Sequence, residues 1–134
     1  MSLGQPGATA TLSGTSSREL ITDALATVPG LSVTPSVPDV PTPGAAWPVW
    51  VQTTYAAVLA APARDTYDVY VLLAGGLSEA TVMEGKAQLA QVVRALWLPC
   101  VVELAEPVAV RFDSQTQMPG LRIRVTMRGS NSDA

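Results

Sequence analysis

DTYDVYVLLAGGLSEATVMEGKAQLAQVVRALWLP, residues Asp65–Pro99, is the stretch whose reading decides the fold. It opens as a strand from Asp65 to Leu73. Val69, Tyr70, Val71, Leu72 and Leu73 run together with little alternation, which puts protein on both faces of that strand. Gly75 and Gly76 turn the chain. From Ser78 to Trp97 the period changes: Val82, Leu89, Val93 and Leu96 recur at helical steps and form one apolar stripe. Ser78 is placed as the N-cap, Glu79 suits the positive end of the helix dipole and Arg94 the negative end, and Pro99 stops the helix. Trp97 closes the stripe and is expected in the core.

Working outward toward the N-terminus, Ser16-Ser17-Arg18-Glu19 has capping-box spacing. The helix it starts, over about residues 17–28, gathers Leu20, Ile21, Ala24, Leu25 and Val28 on one side before Pro29-Gly30. Residues 1–16 are mostly small and polar and read as an extended arm. Leu31–Thr34 suits a short strand. Pro35, Pro38 and Pro41 recur every third residue, a polyproline repeat, with Pro43 and Pro48 beyond. No basic residue flanks them to orient a proline-reading domain, so a stiff exposed loop between strands is the better reading. Trp47–Tyr55 alternates as a strand, with Pro48 pointing to a strand start or a sheet edge.

Beyond the long helix, Cys100–Leu104 and Val108–Phe112 are strand-like, broken at Glu106-Pro107. Asp113–Gly120 reads as a polar loop. Leu121, Ile123, Val125 and Met127 then alternate with Arg122, Arg124, Thr126 and Arg128 in the clearest strand of the chain. Residues 130–134 form a polar tail. The fold class is α+β: a mixed or antiparallel sheet of about four to six strands, with two main helices (about 17–28 and 78–97) packed on one face, in a single domain over residues 17–129.

Composition sharpens this. The chain has 134 residues and a formal net charge of −3, which gives no general attraction to nucleic acid. Apolar residues make up 48% and charged residues only 14%, well short of the roughly one quarter usual in a globular domain. So few charges imply that part of the surface is covered by other chains. No apolar run is long enough to span a bilayer and residues 1–17 lack the pattern of a signal peptide, so the expected location is cytoplasmic, outside membranes.

Chemistry is hard to find. There is no histidine, which removes the commonest general base and metal ligand, and the serines have nothing to activate them. Cys100 is the only cysteine; it reads as a small buried hydrophobe. Asp65 with Asp68, and Glu103 with Glu106, are three apart on strands, a spacing that sends each pair to opposite faces and makes no site. Gly75-Gly76-Leu77-Ser78 lacks the signature of a phosphate loop. No catalytic residue, cofactor site or metal site is expected.

Contact residues are another matter. Trp47 and Trp50, three apart on a strand, face opposite ways, so at most one lies under the helices and the other is a candidate interface anchor. If the strands around Arg111 and Arg122 form a hairpin, Arg111, Arg122 and Arg124 share an outward face. That face could be solvated, grip a neighbour's carboxylates or touch phosphate; the acidic chain and the lack of interleaved aromatics weigh against nucleic acid. Pro38 and Pro41 in the proline-rich loop, and Gln115 and Gln117 in the polar loop, complete the candidates.

The order of the pieces carries a resemblance. Leu-Ile-Thr-Asp-Ala-Leu (20–25) ending at Val28-Pro29-Gly30 leads through the proline-rich connection to Ala46-Trp47-Pro48-Val49-Trp50. Tyr67–Leu73, the glycine turn and the helix ending Ala95-Leu96-Trp97 follow, then Glu106-Pro107-Val108 and Leu121-Arg122-Ile123-Arg124-Val125. Over about residues 18–128 this resembles the tail terminator, or tail-completion, proteins of long-tailed bacteriophages, siphophages of actinobacteria in particular. The resemblance implies a non-enzymatic virion protein, made in the host cytoplasm and placed at the head–tail junction. It implies a homo-oligomeric ring, as a rule a hexamer, that caps the tail tube protein, stops its polymerisation and docks the head-completion (stopper) protein. DNA passes through such a ring without sequence-specific binding. The long N-terminal arm departs from the family pattern. The alternatives are a neighbouring connector, of stopper (head-closure) or adaptor type, and more distantly a small-molecule-binding α+β domain.

Overall fold

The computed structural model describes residues 16–55, 63–76, 78–113 and 115–128; the extended arm up to residue 15 and the tail from residue 129 lie outside them. Seven elements follow in chain order: α1 (Ser17–Leu25), β1 (Ser32–Val33), β2 (Ala45–Thr54), β3 (Arg64–Leu72), α2 (Glu79–Leu96), β4 (Val101–Arg111) and β5 (Gln117–Arg128). The strands form one five-stranded sheet in the order β1-β2-β3-β5-β4. Only β1 and β2 run parallel; the other pairs are antiparallel. The class is α+β with a mixed sheet.

Both helices lie on one face, α1 against β2 and α2 over β5 and β4. Alternation decides which side chains they cover. Tyr67, Val69, Val71 and Leu73 of the central strand, with Leu121, Ile123, Val125 and Met127 of β5, meet Ile21 and Leu25 from α1 and Val92 and Leu96 from α2. Each such apolar side chain, once buried, contributes about 1.5–3 kcal/mol. The central strand is buried on its other face too, as its unbroken apolar run implies.

The helix ends are set locally. Ser16 Oγ accepts from the Glu19 amide and Glu19 Oε1 accepts from the Ser16 amide, each at 3.2 Å, so the capping box is closed. Ser78 Oγ accepts from the Thr81 amide at 3.3 Å at the start of α2. Gly44 carries φ +89°, and a Cβ there would sit 2.8 Å from the Gly30 carbonyl oxygen. The close approach lets the Gly44 amide donate to Leu72 at 2.9 Å, which starts β2 beside the central strand.

Several expectations change on contact with the coordinates. α1 ends at Leu25, three residues early, because the Ala26 amide bonds back into a closing turn that carries Val28 into the core. Val92, not Val93, is the fully buried residue of the long helix, and Trp97 is 67% exposed. The helix is one residue shorter than its stripe needs, so the indole falls past the last turn as the C-cap residue. The proline segment bends at 35–36 and 39–40 and is not one continuous polyproline helix. Pro48 lies inside β2, but β1 pairs only with Ala45 and Ala46, so the outer side of Pro48 has no strand beside it. Its carbonyl accepts instead from Arg18 of α1, at 3.0 Å, and the same guanidinium bonds the Pro35 carbonyl.

At the other end, Glu106-Pro107 does not break a strand. β4 runs through from Val101 to Arg111 because it is the edge strand, where a missing amide need break no ladder bond. The irregularity sits between Val102 and Leu104, a bulge. The supposed loop 113–120 is shorter as well. Arg111 pairs with Gln117, and Pro119 and Gly120 already belong to β5. Asp113 closes the turn by accepting from the Gln115 amide at 2.8 Å and the Thr116 amide at 2.6 Å, bonds that hold its carboxyl below the usual range.

Cys100 is a core residue, and burial pushes its thiol up to about 11. A thiol that ionises near its ordinary value of 9 when unfolded and near 11 when folded favours the unfolded chain as pH rises. Its contribution is whole below pH 9 and is lost through pH 11, a change of about 2–3 kcal/mol. Two results are expected: native protein resists iodoacetamide at pH 8 while urea-unfolded protein reacts at once, and Cys100→Ala flattens the alkaline fall in stability. Rapid alkylation of native protein would contradict the burial.

Candidate functional site

The helix-free face of the sheet is where most of the exposed chemistry collects, and register lays it out in rows across the strands. The first row is Trp47–Tyr70–Arg122–Glu106 and the next Val49–Asp68–Arg124–Leu104. Then come Gln52–Thr66–Thr126–Val101 and, at the far end, Thr54–Arg64–Arg128. The face grades from aromatic, through ion pairs, to uncharged donors and guanidinium groups that meet no carboxylate among the described residues.

At the aromatic end, Trp47 stacks on Tyr70 with ring centroids 5.8 Å apart and leans on Phe112 at 6.0 Å. With Ala45, Leu72, Val110 and Met118 these rings form a second, smaller apolar cluster. A cleft of about 410 Å³ opens beside it, walled by Val37 of the proline loop and by Arg111 and Arg122. Trp47 is only 2% exposed, so it is a packing residue of this face and not an exposed anchor. Trp50 is the exposed one, its indole N–H donating to Thr53 at 3.0 Å.

The ion-pair rows correct the picture of an outward arginine face. Arg124 grips Asp68 through two parallel bonds, Nε to Oδ1 at 2.9 Å and Nη2 to Oδ2 at 3.1 Å. These hydrogen bonds and the carboxylate charge push the Arg124 guanidinium still further toward its charged form. Arg122 pairs with Glu106 directly across the strands. The sheet thus supplies its own carboxylate to each, and neither is free to hold a neighbour's. Arg111 takes a softer partner: with its amide oxygen turned inward, Gln117 accepts from Arg111 Nη2 at 2.8 Å and Nε at 3.2 Å.

The bulge in β4 has a further effect here. It takes up one residue, so Glu103 lines the same face as Glu106, with Glu103 beside Arg124 and Thr126. Spacing alone sends these two carboxylates to opposite faces. Asp65 and Asp68 do part. Asp65 turns under α1, where it accepts from Ser17 Oγ and Thr53 Oγ1, each at 2.7 Å.

Among the other candidates, Pro38 and Pro41 are half-buried at the sheet's β1 margin and Gln115 is exposed in the hairpin turn, apart from one another. The structure therefore unites Trp47, Arg111 and Arg122 around one cleft, with Gln117 behind Arg111, and separates Trp50, Gln115 and the prolines from it. Sequence reading missed Arg64, which gave no signal because it sits alone between Ala63 and Asp65 and shows its neighbours only through register.

A second surface lies on the opposite margin. Val82, Met83, Leu89, Ala105 and Pro107 line an open apolar groove between α2 and β4, and Leu89 carries it on to Ala90, Val93 and Trp97. Leu98, 95% exposed, extends the apolar ground beyond Trp97 toward the start of β4. No helix among the described residues is long and apolar enough to cross a membrane. The chain matches no protein-family model and no curated protein sequence.

Proposed function

We propose that this chain is a subunit of a closed ring that caps the tail tube of a long-tailed bacteriophage, ends the tube's polymerisation and joins the tail to the head-completion complex. It acts as a structural virion component and not as an enzyme. The observation that carries the reading is the apolar margin of α2 and β4. Met83, Leu89, Val93 and Trp97 line one run of apolar groove beside the exposed Leu98, on a chain with few charges, a surface suited to burial against another protein. The proline loop and α1 lie at the opposite margin of the sheet. A contact joining two different margins is heterologous, and such contacts close into rings when the rotation permits. The ordered motifs shared with tail terminators supply the identity of the ring.

Removing the gene product tests this directly. Expected are tails of irregular, excessive length in electron micrographs, together with closed rings of the purified chain in mass photometry. Tails of normal length on particles that fail to retain DNA would overturn the capping role in favour of a stopper. A chain that stays monomeric even with tail tubes present would overturn the ring.

A further inference from the structure

The far end of the helix-free face holds a contradiction in charge. Arg64 and Arg128 are directly opposite one another on neighbouring strands, and alternation puts both side chains on the face without helices. Like charges in that relation destabilise a sheet. Elsewhere on the face each guanidinium is answered: Arg124 by Asp68, Arg122 by Glu106. Arg64 and Arg128 meet no carboxylate among the described residues. What surrounds them is a set of groups able to donate: Thr54 beside Arg64 in the same row, then Gln52, Thr66 and Thr126 in the next. Those four groups and Arg64 line a groove of about 520 Å³ together with Val51, Val101 and Arg124, Arg128 standing opposite Arg64 outside that lining; its one acidic member, Glu103, acts on Arg124.

We propose that this end of the sheet, built on Arg64 and Arg128, is a phosphate-binding surface and that its occupant is the sugar–phosphate backbone of DNA. Two guanidinium forks with hydroxyl and amide donors around them match the backbone of a nucleic acid, whose anionic phosphate oxygens are splayed tetrahedrally and recur from one residue to the next; a carboxylate offers two coplanar ones at a single point. Contacts made to phosphate oxygens position a strand without selecting sequence. The net charge of −3 keeps the attraction local and weak, which suits a duplex that must slide past the surface and leave it. Naming DNA as the polyanion rests on the ring reading above; the site itself does not.

The test is a titration of the full-length chain, isotopically labelled, with a short DNA duplex of mixed sequence at low ionic strength. The Arg64 and Arg128 Nε–H signals and the Thr54 and Thr126 amides are expected to shift together. Affinity should fall with a log–log salt slope of about −2, for two phosphates engaged. R64Q/R128Q should lose about tenfold or more in affinity while melting no lower than the parent, since the change removes a like-charge pair. A lower melting temperature with an unchanged titration would make the pair structural and overturn the proposal. A silent duplex would overturn it. A response to inorganic phosphate alone would overturn the choice of DNA, and an equal response to polyglutamate would overturn the choice of phosphate. The two readings fail separately: a phage without this protein that still makes tails of normal length refutes capping and leaves the titration untouched.

Discussion

Val92→Asp leaves no cooperatively folded protein, whereas Val93→Asp on the next residue keeps the fold. Val92 is fully buried between α2 and the sheet, packed in the cluster with Leu96 and Ile123. A carboxylate there loses its water with no cation or donor to replace it, or takes up a proton to escape the charge; either costs several kcal/mol, and the apolar burial of valine is lost as well. A domain of this size has about 5–15 kcal/mol in hand. Val93 instead lines the open groove with Ala90 and Trp97, where a carboxylate keeps its water. Thermal melts followed by circular dichroism decide it. A cooperative transition in V92D within a few degrees of the parent would mean that α2 presents a different face to the sheet.

Trp47→Ala is expected to cost about 3–5 kcal/mol, measured as a shift in the urea midpoint at unchanged slope. The indole is enclosed by Tyr70 and Phe112 on a face that no helix covers, so nothing can move in to fill the space it leaves. Trp97→Ala, by contrast, should stay within about 0.5 kcal/mol in the isolated chain, because its ring has no shell of neighbours to lose. If the two results were exchanged, the second apolar cluster would not exist as described. If the chain assembles as proposed, the order is expected to reverse, with Trp97 carrying the contact and Trp47 only stability.

Much of the fold was legible because patterning on strands and helices is a physical signal. The period-two alternation of β5 placed Leu121, Ile123, Val125 and Met127 under the helices, and Ser16 and Glu19 fixed the start of α1. The errors share a cause. Reading Pro107 as a break ignored that an edge strand tolerates the missing amide, and only the strand order reveals which strand is the edge. Of the expected stripe, Leu96 is fully buried and Leu89 packs against the core at the groove's edge, whereas Val82 and Val93 face the open groove and Val92 takes the buried place. Trp97 is expected inside because it closes the stripe, but the helix ends one residue before it and leaves the ring exposed.

The candidate site was less legible than the fold. Asp68 and Arg124 are 56 residues apart in the chain, and Arg64 and Arg128 are joined only by the register of β3 and β5. Periodicity says which face a residue occupies and nothing about who stands opposite. A bulge undoes even the first of these, as Glu103 shows. Of the arginines expected to share an outward face, Arg122 and Arg124 are answered by carboxylates and Arg111 by Gln117, while Arg128 stands opposite the unforeseen Arg64.

Pro107, midway along β4, bears on how copies of this chain can join. A neighbour approaching that margin cannot extend the backbone ladder without losing a bond at the proline, so fusing sheets edge to edge into an endless ribbon is disfavoured. In the proposed ring, union would then be negotiated by side-chain shape, through Met83, Leu89, Trp97 and their surroundings, which would permit only a particular angle between neighbours. An angle of that kind, repeated, would fix how many members complete the circle.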